Sequence, residues 1–146
     1  MINVVQWALV AAVALAAALG SASAQARRAA ADLSCVPAQE ALAYDCLVRL
    51  KVASTGEPLS GLSVTVGADM PSMAMAHNVR PVPAQEAGEP GTYKARLALE
   101  MLGDWAVRID VDGPLRDRVV LVMRFEDRSV FMPPSRAPSD GGHRRH

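Results

Sequence analysis

From Tyr44 onward, apolar and polar residues alternate one for one in run after run. Val48, Leu50 and Val52 alternate with Arg49 and Lys51, and Leu62, Val64 and Val66 with Ser63 and Thr65. Further on, Tyr93, Ala95 and Leu97 alternate with Lys94 and Arg96, and Val107, Ile109 and Val111 with Arg108 and Asp110. A period of two sends successive side chains to opposite faces of an extended strand, so each run reads as a strand with one buried face. Val119-Val120-Leu121-Val122-Met123 is apolar without a break, which predicts a strand covered on both faces or central in its sheet. Turn chemistry separates the runs at Ser54-Thr55-Gly56-Glu57-Pro58, Ala87-Gly88-Glu89-Pro90-Gly91, Leu102-Gly103-Asp104 and Asp112-Gly113-Pro114. Short strands with one apolar face must bury it against a second layer. The pattern therefore predicts an all-β, immunoglobulin-like antiparallel β-sandwich of about six or seven strands.

A length of 146 residues suits one such domain with peripheral tails. Residues 4–19 are continuously apolar or nearly so, and Ala22-Ser23-Ala24 precedes Gln25. That order predicts a signal peptide over residues 1–24 and a periplasmic or otherwise exported protein, with no membrane insertion after cleavage. The alternative is an uncleaved N-terminal anchor, for which the apolar run is short of the roughly 20 residues that span a bilayer. Residues 25–43 then form a leader, flexible to about Leu33, and residues 44–132 the sandwich domain. The final segment, 133–146, reads PPSRAPSDGGHRRH. It is too poor in apolar residues to offset its ordering entropy, which predicts a disordered tail.

Cys35 and Cys46 are the only two cysteines. In an oxidising compartment they are expected to form a structural disulfide that ties the leader to the first predicted strand. Fifteen basic and fifteen acidic residues give zero formal charge. That balance lacks the electrostatic footprint of a nucleic-acid binder.

Three of the seven methionines and one of the three histidines fall within Met70-Pro71-Ser72-Met73-Ala74-Met75-Ala76-His77. If this segment is extended, Met73, Met75, His77 and Val79 share one face. On one reading that face is core, because methionine fills irregular gaps. On the other it presents soft donors to a metal. Alanines on the opposite face blur the usual polarity signal, and methionine specifies core packing poorly. Thioethers also favour copper(I) and need no deprotonation. The residues alone leave the two readings open.

The Met/His segment, the following EPGTYKARLALEMLGDWAVRIDV and the Gly113-Pro114 turn resemble the YtkA-like/FixH-like family of exported or membrane-anchored bacterial domains. The resemblance spans about residues 44–125. It implies an immunoglobulin-like sandwich and a role in copper handling or in assembling copper-containing respiratory oxidases. By position it places Met70, Met73, Met75 and His77 in the Met/His motif, with Tyr93 and Trp105 as the strand aromatics. The implied cofactor is copper(I), and the implied partner is an envelope protein that donates or receives it. A metal-independent interaction module that assists assembly of an envelope or respiratory complex is the alternative.

Other residues carry weaker signals. Trp105 and Tyr93 suit a core better than a cation–π lid. Met101 lies in a turn as a remote additional ligand, and Met123 in a buried run. His143 and His146 could collect metal only loosely, lacking fixed geometry. Asp110 and Asp112 read as solvating charges on an outer sheet face. No nucleophile, base and orienting group occur together, and no G-x-S-x-G, HExxH or phosphate-binding loop is present. The sequence predicts no enzyme.

Overall fold

The computed structural model describes residues 27–73 and 76–134. Eight strands run in the order β1 (Ala29–Pro37), β2 (Ala43–Val52), β3 (Ser63–Asp69), β4 (Asn78–Glu86), β5 (Thr92–Ala98), β6 (Gly103–Asp112), β7 (Asp117–Phe125) and the short β8 (Val130–Phe131). No α-helix occurs among the described residues. The spatial order is β1-β2-β5-β4-β3-β6-β7-β8, antiparallel throughout. Divided into β1-β2-β5-β4 and β3-β6-β7, this is the strand arrangement of an immunoglobulin constant-type domain, with β8 added at the edge. The predicted all-β sandwich is present, with eight strands instead of six or seven.

The alternating runs bury the expected face. Val48, Leu50 and Leu97 of one layer meet Val66, Val107 and Ile109 of the other, with Tyr93 and Trp105 fully enclosed among them. Tyr44 packs edge-on against Phe125, ring centroids 4.8 Å apart, and its hydroxyl donates to the Glu126 carbonyl. Burial of the ring raises the Tyr44 phenol above its ordinary value, with the Asp127 charge adding to the effect.

Four local expectations need correction. The segment expected to be a leader supplies β1, which pairs with β2 over nine residues. Its alternation of Ala31, Leu33 and Cys35 with Asp32 and Ser34 is the same period-two signal, muted by small side chains. β4 was hidden by Pro81 and Pro83. It pairs with β3 over most of its length but with β5 only at Gln85 and Glu86, so one side is open where a proline lacks a donor at little cost. The apolar run in β7 is covered on one face only: Met123 and Phe125 are buried, whereas Val120 and Val122 are 53% and 43% exposed. Finally, the extended geometry that would put Met73, Met75 and His77 on one face is not adopted: the described residues Met70–Met73, Ala76 and His77 lie between β3 and β4, outside any strand.

The two layers are joined along the far edge as well. The backbone N–H of Ala29 in β1 donates to Asp117 Oδ2 in β7 at 2.8 Å, and Arg28 lies 3.4 Å from the same oxygen. These contacts nearly close the sheet on itself.

Candidate metal site at the β3–β4 loop

Pro71 begins the loop in a single 3₁₀ turn, Pro71–Met73, because its fixed φ suits a first helical position. Met73 N–H donates to the Met70 carbonyl at 3.1 Å, Ala76 N–H to the Met73 carbonyl at 3.1 Å, and Met70 N–H to the His77 carbonyl at 3.2 Å. The chain thus coils back on itself before Asn78 enters β4 opposite Asp69. Curling, not strand alternation, decides which donors meet.

The predicted donors separate into different environments. Met70 is 3% exposed and belongs to the core. Gly103 faces the Met70 methyl at ordinary contact distance, and its φ of +134°, which side-chain-bearing residues rarely adopt, is what calls for glycine there. Met73 is 39% exposed. Met75 lies outside the described residues. His77 is half-buried, and its Nδ1 is hydrogen-bonded to the Glu100 carboxylate beyond β5.

Met101 is the residue that sequence reasoning undervalued. With Met70 and Met73 it lines a shallow cavity of about 630 Å3, walled also by Leu102, Val122 and Arg124. Trp105 Nε1–H donates to the Met101 carbonyl at 3.2 Å, which ties the β5–β6 turn to the start of β6. No sequence spacing relates Met101 to Met73; only the adjacency of the two loops does. At the rim, Arg124 makes two hydrogen bonds to Asp104, at 2.7 and 2.8 Å, and the carboxylate holds the guanidinium in its charged form. The cavity is therefore lined by three methionines, Met70, Met73 and Met101, beside a mutually neutralised charge pair.

That donor set suits a soft cation, for which thioether sulfur is a preferred ligand. Among the described residues, no group of three His, Cys, Asp or Glu could hold a metal.

A sequence model described as YtkA-like matches residues 24–110, more than half of the chain. The chain belongs to the YtkA-like family. No curated protein and no solved structure matches it. The family match contains the β3–β4 loop and Met101, whereas β7 and β8 follow it, so the open apolar face of β7 lies outside the matched region.

In this YtkA-like domain, Cys35 and Cys46 stand directly opposite each other in β1 and β2, with Cα atoms 4.0 Å apart and the sulfurs at bonding distance. The pair staples two neighbouring strands of one layer and lies in the core. Tyr93 and Trp105 are fully buried and make no lid. Asp110 pairs with Arg108 and Arg118 on the outer sheet face. The expected signal peptide, with residues 135–146 of the expected tail and its His143 and His146, lies outside the described residues. Among the described residues no helix is long and apolar enough to cross a membrane.

Proposed function

We propose that this YtkA-like protein is an exported, non-catalytic copper(I)-binding protein that takes part in periplasmic copper handling or in delivery to a cuproenzyme. The observation that carries the reading is the meeting of thioethers from two loops, Met70 and Met73 with Met101, in one open cavity with His77 on the same loop. Met73, Met75, His77 and Met101 are the donors in this reading, and Met70 forms the inner wall. Thioethers at an open surface exchange their metal by stepwise ligand replacement, so transfer needs no large change of shape.

Anaerobic titration with copper(I) against a competing chelator tests the assignment. Wild type takes up one equivalent in competition, and a M73L/M75L/H77A variant loses that uptake. Equal uptake by the two proteins would refute it.

A second reading is a metal-independent interaction module. The exposed Val120 and Val122 of β7, with Phe131 and Met132 beyond, favour it, since contiguous apolar surface commonly marks a contact site. Capture of an envelope partner that is weakened by Val122→Asp and unaffected by a copper chelator would support this reading over the first.

A further inference from the structure

The outer face of β6 and β7 carries a regular pattern. Trp105, Val107, Ile109 and Val111 of β6 are buried, as are Met123 and Phe125 of β7, so Asp104, Ala106, Arg108 and Asp110 share the outer face with Arg118, Val120, Val122 and Arg124. The register sets them in four rows: Asp110 opposite Arg118, Arg108 opposite Val120, Ala106 opposite Val122, and Asp104 opposite Arg124. Phe131 of β8 continues the last row. An ion pair closes each end row, Asp110 with Arg118 and Asp104 with Arg124, while Arg108 turns its guanidinium to Asp69 and Asp110. An apolar centre lies between the end rows.

Apolar exposure is concentrated on this side of the molecule. Seven large apolar side chains are exposed among the described residues, and six of them, Met73, Leu102, Val120, Val122, Phe131 and Met132, line the groove along β7 or the adjoining thioether cavity. Contiguous apolar surface rimmed by charge marks a contact site. A chain of zero formal charge also sets up no long-range repulsion against its own copies.

The charge pattern selects the occupant. Both end rows carry the acid on β6 and the base on β7. A two-fold axis parallel to these strands and midway between them lays β6 of one copy over β7 of the other, so each acid meets a base of the same row and Ala106 meets Val122. An axis perpendicular to the strands would instead set Asp110 over Asp104 and Arg118 over Arg124, and like charges facing across an interface are costly. Sheets packed face to face with aligned strands suit the first arrangement.

We propose that the outer β6–β7 face is the interface of a homodimer whose two-fold axis runs along the two strands, with Ala106, Val120 and Val122 at its centre and reciprocal Asp104–Arg124 and Asp110–Arg118 contacts at its ends. The inference is independent of the soft-metal reading. It differs from the interaction-module reading in the occupant, a second copy of this chain in place of an envelope protein. A face about 30 Å long and about 10 Å across is small for a permanent interface, so the dimer is expected to be in exchange with monomer.

Sedimentation velocity over a range of concentrations, at low ionic strength and with a copper chelator present, compares the intact wild-type chain with V120D/V122D and D104R/R124D. Wild type is expected to pass from monomer to dimer as concentration rises, and V120D/V122D, altered only at exposed positions, to associate at least about tenfold more weakly. D104R/R124D exchanges the charges within one row, so it keeps its internal pair and should self-associate like wild type. Mixed with labelled wild type it should associate about tenfold more weakly, because acid then meets acid and base meets base. A wild type that stays monomeric throughout, or a V120D/V122D variant that dimerises like wild type, would overturn the interface. Mixed dimers as tight as the parent ones, or tighter self-association of D104R/R124D than of wild type, would overturn the axis and the proposal with it. No metal is present in this experiment, so a failed dimer leaves the soft-metal reading to its own titration.

Discussion

Nδ1 of His77, on the β3–β4 loop, is hydrogen-bonded to the carboxylate of Glu100, on the β5–β6 turn. In the neutral ring a carboxylate partner fixes the hydrogen on Nδ1 and leaves the Nε2 lone pair for a metal. Glu100→Ala is therefore expected to weaken copper(I) binding by about 10–100-fold. Glu100→Gln, which keeps a carbonyl acceptor, should lose less. Chelator competition measures both, and wild-type affinity in Glu100→Ala would show that the contact does not orient a ligand.

Met70 and Met73 begin the same turn yet differ in burial, so their truncations should separate stability from binding. Met70→Ala opens a hole in the core and is expected to cost about 2–5 kcal/mol. Met73→Ala, at an exposed position, should change stability by no more than about 0.5 kcal/mol. Denaturant midpoints measured without metal distinguish the two.

Removing the bridge between Cys35 and Cys46 frees a loop with a sequence separation of 11. Loop-closure entropy puts the expected loss for C35S/C46S at about 2–3 kcal/mol. The double serine variant and the reduced wild type should show similar drops in urea midpoint. A drop in neither would mean that the β1–β2 ladder suffices by itself.

Asp117 should give the acid limb of the stability profile a measurable component. The Ala29 N–H holds its carboxyl below the usual carboxylate range; partial burial opposes this, while the Arg118 N–H and the Arg28 charge assist. A folded value depressed below the unfolded one stabilises fully above the unfolded value, and the contribution disappears as pH falls through the folded value. Asp117→Asn is expected to be less stable than wild type at neutral pH and to lose less on acidification between pH 5 and 2. Parallel stability curves for the two proteins would contradict the role given to this contact.

The sequence was most legible where burial is one-sided. In β2, β3, β5 and β6, alternating Val, Leu and Ile mark the inner face, and the structure buries that face. β1 was obscured because Ala29, Ala30 and Ala31 carry too little apolar contrast. β4 was obscured because a strand with one open side tolerates prolines that elsewhere would end it. In β7, the five-residue apolar run concealed the open face of Val120 and Val122, since exposed valines give the same letters as buried ones. The candidate site was legible as a cluster of donors but not as a shape. Pro71 turns the chain, Met70 goes inward, and Met101 arrives from a turn 28 positions after Met73, a pairing that depends on tertiary adjacency alone.

The most direct measurement is the methyl NMR spectrum of protein labelled at the methionine methyl carbons, recorded during anaerobic copper(I) addition. The account predicts that the Met73 and Met101 resonances shift together and saturate at one equivalent, while that of Met123, buried in β7, stays in place. Unmoved Met73 and Met101 resonances in the presence of excess copper(I) would contradict a thioether metal site at this end of the sandwich.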